Sequence, residues 1–186
     1  MNRFKISKTP LYGLKLIERQ RLIDTRGFLS RLFCAEEFAA FDWTKPIVQI
    51  NQTSTTRQGT IRGMHFQCPP HSEMKLVSCL QGEVWDVVVD IRSTSPTFLH
   101  WHGVRLSAEN CLALLIPEGF AHGFQALSND IELLYCHSTA YVAGAEGGLN
   151  PQDPKLGIVW PLPVTEISAR DMSHPLVQNG FKGVRP

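Results

Sequence analysis

Net charge is what this chain has least of. Eighteen Lys and Arg against 17 Asp and Glu leave a formal charge of +1, and only 19% of the 186 residues are charged. Such a balance offers no bulk attraction to nucleic acid or to an acidic membrane surface, so neither partner is expected and only local basic pockets remain. Cysteines are scattered: Cys34, Cys68, Cys79, Cys111 and Cys136 are odd in number and include no C-x-x-C pair. That argues against a disulfide framework or a structural zinc site and implies a reducing compartment. Long apolar runs are missing too. Residues 111–117 (CLALLIP) are far too short to span a bilayer, and MNRFKISKTPLYG has no apolar core of signal-peptide length, so the protein is expected to be cytoplasmic, with no membrane contact. Repeats, low-complexity tracts and linker-like stretches are also absent, so residues 1–186 are expected to form one domain with a full core.

What the chain does have is a period of two. Strands are predicted over residues 13–17, 27–33, 47–55, 59–67, 74–81, 82–91, 101–106, 111–116, 122–126 and 131–138, with Gly, Pro, Ser and Asn clusters between them. In VWDVVVD (residues 84–90) β-branched residues dominate and acidic residues recur on one parity, which suits a strand lining a polar interior. Helix is invited only at residues 35–41 (AEEFAAF) and after Ser168, a cap residue opening SARD. Many short strands with few helices indicate an all-β sandwich or small barrel.

The densest chemistry lies in GTIRGMHFQCPPHSEMK (residues 59–75), where Arg62, His65 and Lys75 surround a Pro-Pro break. A lone histidine is more often a satisfied core residue than a catalyst. Here a guanidinium, an imidazole and an ammonium converge, which is costly unless an anionic ligand or a carboxylate neutralises them. An anion-binding catalytic pocket is therefore favoured. Further on, IPEGFAHGF (residues 116–124) reads as a turn into a strand. Its P-x-G-x-x-H pattern also resembles the second motif of the cupin superfamily, whose double-stranded β-helix, or jelly roll, opens a ligand cavity at one end. The first cupin metal motif fails, because H-x-H is replaced by His65-Phe66-Gln67. An unusual set of His65, His71, Glu73 and His122 is disfavoured by the nearby cations, so no metal is expected.

Taken in order, DTRGFLSRLF (24–33), VQINQTSTTRQGTIRGMHFQCPP (48–70), KLVSCLQGEVWDVVVDIRSTSPTF (75–98), LSAEN (106–110), IPEGFAHGF, ELLYCHSTAY (132–141), DPKLGIVWP (153–161) and SARD (168–171) resemble the dTDP-4-dehydrorhamnose 3,5-epimerase family over most of the chain. The resemblance implies a cupin jelly roll with a few short helices. It also implies inversion of carbons 3 and 5 of a nucleotide-linked 4-keto-6-deoxy hexose by proton transfer through an enolate, with no cofactor. By motif, His65 matches the base, Asp171 the carboxylate that orients it, Lys75 the cation beside the enolate oxygen, and Tyr135 the acid on the other face. Arg26, Gln49, Asn51, Arg62 and His122 match positions holding the nucleotide diphosphate and sugar. Tyr141 matches an aromatic stacked on the base, and Glu146 an acidic position near the nucleotide. Asp90, Trp101 and Trp160 are read as structural.

Departures from the family pattern fall around the substrate. Arg31 stands where a glutamate is common, Ala140 where a second aromatic often precedes Tyr141, and GGLNPQ lacks the usual tryptophan-asparagine before DP. The alternatives are therefore a mono-epimerase of another deoxysugar, or a cupin that binds a nucleotide sugar without turning it over. Family likeness further implies a homodimer exchanging N-terminal strands, which the strand-like region before residue 35 suits.

Overall fold

In the computed structural model, which describes residues 3–178 and 180–186, two sheets face one another. The first has the order β1 (Phe4–Lys8), β2 (Lys15–Arg19), β10 (Leu112–Ile116), β7 (Lys75–Gln81), β12 (Ile131–His137), β5 (Gln49–Thr55). The second runs β13 (Glu146–Gly148), β6 (Thr60–Gln67), β11 (Phe120–Ala126), β8 (Glu83–Asp90), β9 (Trp101–Ser107), with β14 (Glu166–Ile167) parallel to the start of β6. Strands β3 (Arg21–Asp24) and β4 (Gly27–Ser30) form a hairpin outside both sheets. Neighbours distant in sequence are the mark of jelly-roll winding, and the expected double-stranded β-helix is what the chain forms.

Strict alternation of side chains explains why LALLI and VVV read as unbroken apolar runs. Leu114, Val77 and Leu133 from one sheet meet Val88, Leu106 and Phe124 from the other in the interior. Their neighbours turn outward, Ala113 and Leu115 packing with Phe38 of α1 (Ala35–Ala39) and with Trp43. Val87 and Val89 pack with Leu149, Leu156 and Val177 of the C-terminal segment. With both faces covered, each strand is apolar on both parities. At one end of the sandwich the inward parity changes character and carries Thr53, Lys75, His122, Tyr135 and His137.

The eight strand expectations from residues 47–55 onward match β5 to β12 within two residues, and both helices form, the second being α2 (Ala169–Met172). The first strand starts at Lys15 rather than 13, and β4 stops at Ser30 rather than 33. Strands β1, β3, β13 and β14 carry no clear sequence signal. For β13 the reason is physical: EGG has no strand former, and its glycines serve close approach. A Cβ on Gly147 would meet the Phe66 ring at 2.6 Å, and one on Gly148 the His174 ring at 2.3 Å. No helix among the described residues is long and apolar enough to cross a membrane.

Candidate active site

Arg62 and His65 are three positions apart, so an unbroken strand would point them to opposite faces. Strand β6 avoids this with a register shift against β11, where His122 pairs with His65 but Phe124 pairs with Arg62. The extra residue is accommodated because Gly63 sits at φ +119°, and a Cβ there would lie 2.5 Å from Gly123 Cα and 2.7 Å from the His122 carbonyl oxygen. Both basic side chains thereby reach one cavity of about 200 Å³, together with Asn51, Thr53, Lys75, His122, Tyr135 and His137. His65 arrives from the second sheet and Tyr135 from the first.

Three carboxylates organise that cavity. Asp171 Oδ1 lies 2.8 Å from His65 Nε2, and its Oδ2 accepts the Gly63 N–H at 3.1 Å. Its position is set by α2, where the Ser168 hydroxyl accepts the Asp171 N–H at 3.0 Å as the N-cap expected of SARD. Burial pushes the Asp171 carboxyl up, but the hydrogen bonds from His65 and Gly63 outweigh it and hold the group below its ordinary value. Glu73 is the second carboxylate, pairing with Lys75 Nζ at 3.0 Å and with His137 Nδ1 at 2.7 Å. Against burial, these two partners also leave it below its ordinary value. The third, Asp86, is buried and receives His122 Nε2 at 2.9 Å on each oxygen. Arg62 differs: its guanidinium donates to Thr55 Oγ1 at 2.9 Å and to the Ser54 carbonyl at 3.1 Å. No carboxylate is paired with it among the described residues. Tyr135 is buried, which pushes its phenol well above the ordinary 10, and Thr53 Oγ1 donates to it at 3.5 Å. A phenol so placed keeps its proton until a strong base appears.

The remaining expected residues divide. Asn51 lines the cavity, its side-chain amide 3.5 Å from His137 Nε2. Gln49 instead donates to Asn51 Oδ1 at 3.1 Å and accepts the Tyr141 N–H at 2.9 Å, tying down the segment that carries Tyr141. Tyr141 is exposed on the rim and donates to Glu146 at 2.6 Å; Arg170 pairs with the same carboxylate. His122, expected as a ligand contact, has its Nε2 committed to Asp86. Arg26 is not brought to the cavity within one chain. It sits on the tight β3–β4 turn, 87% exposed, and is paired with Asp24 at 2.6 Å, because that hairpin stands away from both sheets. Arg31 pairs with Glu37 of α1. Asp90 is structural, holding Arg92, Ser95 and Thr97. Among the described residues neither His71 nor Glu73 groups with His65 and His122, and Glu73 is held by Lys75 and His137.

Sequence reasoning named neither Asp86 nor His137 as a catalytic or binding residue and weighed Glu73 only as a metal ligand. For Asp86 the parity of β8 pointed to a polar interior without assigning a role, and for His137 its spacing of two from Tyr135 was a usable signal. Glu73 lies in the turn before β7, where no period applies.

A family model described as dTDP-4-dehydrorhamnose 3,5-epimerase matches residues 8–179. The dTDP-4-dehydrorhamnose 3,5-epimerase of Salmonella typhimurium is 40% identical over 177 residues, covering 95% of this chain and 97% of that protein. A dTDP-4-dehydrorhamnose 3-epimerase of Streptomyces niveus is 37% identical, over 89% of this chain and 80% of its own length. Among solved structures, RmlC of Legionella pneumophila in complex with dTDP-4-keto-L-rhamnose superposes with a TM-score of 0.92 at 37% identity, covering 98% of each chain. With the motifs, the jelly roll and these likenesses in agreement, the chain belongs to the dTDP-4-dehydrorhamnose 3,5-epimerase family.

Proposed function

We propose that this chain acts as a single cupin-type domain that inverts C3 and C5 of dTDP-4-dehydro-6-deoxyglucose, giving dTDP-4-dehydro-L-rhamnose. The observation that carries this reading is a base and an acid on opposite walls of one cavity, His65 from one sheet and Tyr135 from the other. A neutral His65 imidazole removes the C–H proton next to the C4 ketone. The electron pair passes to the ketone oxygen as an enolate facing the Lys75 ammonium, and Tyr135 O–H returns a proton to the opposite face of that carbon. Asp171 stabilises the imidazolium formed, as carboxylate–histidine pairs do. Lys75 is held by Glu73, so it is placed before substrate arrives and needs no reorganisation during the reaction. The diphosphate is assigned to Arg62, whose charge no carboxylate among the described residues meets, and which also lines the adjoining cavity of about 490 Å³. The nucleoside is assigned to Tyr141 and Glu146 on the rim. Gln49, Asn51 and His122 complete the sugar side, Gln49 by holding the rim segment.

The Streptomyces niveus relative favours one alternative, inversion at C3 only, on the same proton-transfer set. A homodimer in the cytoplasm is part of the proposal. The exposed β3–β4 hairpin, with Ile23, Phe28 and Leu29 in water, is the surface that a second copy would cover, and Arg26 would travel with it. Proton NMR of dTDP-4-keto-6-deoxyglucose with the protein in deuterated water tests the chemistry. Loss of both the C3 and C5 proton signals is expected. Loss of one would make it a mono-epimerase, and loss of neither would overturn the proposed activity.

A further inference from the structure

His174 has no part in the proton transfers above, yet it stands against the catalytic pair. Its ring centroid is 5.8 Å from that of His65 at 75° between planes, and it packs flat against Gly148, the residue opposite His65 in β13. Its Nε2 is shielded from water and has no hydrogen-bond partner. A buried, unpaired imidazole nitrogen calls for an explanation, and one lies beside it: a donor atom from each of His65, Asp171 and His174 falls within 4.8 Å of the other two. We propose that His65, Asp171 and His174 form a capture site for a borderline-soft divalent metal ion, Zn²⁺ above all, and that occupancy switches the base off.

Two imidazoles and one carboxylate are the donor set of many three-ligand zinc sites, with the fourth position left to water. Bonds of about 2.0–2.1 Å in a tetrahedral arrangement put donor atoms roughly 3.3 Å apart. The present set therefore has to open the 2.8 Å His65–Asp171 contact slightly and draw His174 inward by an ångström or so. With the ion on His65 Nε2, the nitrogen that otherwise faces Asp171, the ring proton moves to Nδ1, whose lone pair would accept the substrate proton, so metal binding and proton abstraction exclude each other. Nearby cations do not forbid it. Arg170 is neutralised by Glu146. Gly148 is required, since any Cβ there would displace the His174 ring.

The inference separates into a binding arm, independent of the epimerase reading, and an inhibition arm that rests on it. Titration of the metal-free protein with ZnCl₂ by calorimetry, and the visible absorption of a Co²⁺ adduct, read binding directly. One ion per chain is expected, with affinity falling about 100-fold or more in His174→Ala, since even residues behind the ligands commonly contribute about 10–100-fold. His174→Asn, closer in shape, should behave alike and guards against misfolding of the alanine variant. In the wild type, stoichiometric Zn²⁺ should stop C–H exchange reversibly, with recovery on adding EDTA. Both variants should turn over normally without metal and resist inhibition. Equal Zn²⁺ affinity in wild type and variants, with cysteine or another histidine then holding the ion, would overturn the site, as would no binding at all.

Discussion

Asp171 and Glu73 do comparable work on opposite walls of the cavity, and their roles separate by experiment. Asp171→Asn keeps the shape but cannot stabilise an imidazolium, so kcat should fall by about 10⁴-fold, as when the carboxylate of a catalytic triad is made an amide, with little change in ligand affinity. Glu73→Gln leaves His65 intact but frees Lys75 and His137. The expected loss is about 10–100-fold in kcat with KM nearly unchanged, because in the proposed mechanism the interaction lost is made to the enolate and not to bound substrate. Both carboxyls lie below their ordinary values, 3.8 for Asp171 and 4.5 for Glu73, in the folded chain. Depressed carboxyls contribute stability that is fully present above those ordinary values and is lost as pH falls through the lower, folded ones. Thermal melts should therefore show the wild type losing stability below about pH 4, and each amide variant losing less over the same interval. An equally steep fall in both variants would mean that other groups set the acid limit.

Strand β6 decides which side chains meet. Its bulge brings Arg62 and His65 onto one face, and Gly63 is the position that permits it. Gly63→Ala forces a Cβ onto the backbone of Gly123 and His122, so a destabilisation of about 1–3 kcal/mol is expected, or roughly 2–4 °C in Tm for each kcal/mol, with loss of C–H exchange. Gly144→Ala, where an added Cβ meets nothing within 4 Å, is the control and should be neutral. Calorimetry on both settles the matter, and a neutral Gly63→Ala would show that the bulge does not need the glycine. The same strand marks where the sequence stopped being legible. Strands with β-branched residues on both parities announced themselves, and SARD announced its cap. A bulge leaves no period to read, so Arg62 and His65 could be grouped by their chemistry but not by their spacing. Glu73 and β13 were silent for a related reason, being placed by what approaches them and not by local preference.

Across the molecule the inward parity of two sheets is apolar for most of its length and polar at one end, and a single chain leaves its β3–β4 hairpin uncovered. Light scattering at micromolar concentration is expected to give twice the chain mass, and Leu29→Asp to shift it toward the single chain; a wild-type monomer would count against the dimer. The motif named Arg26 as a substrate contact but carried no information on where its hairpin stands, which in a single chain is away from the cavity. The alternation that builds the cavity also governs how this protein can change in length. Removing one residue from β12 ahead of Tyr135 would rotate Tyr135 and His137 out of the cavity toward the face that α1 covers, and bring Cys136 and Ser138 into their places. Length variation that preserves activity is thus confined to the connections between strands, while single substitutions on the outward parity of β7 and β12 leave the reacting groups where they are.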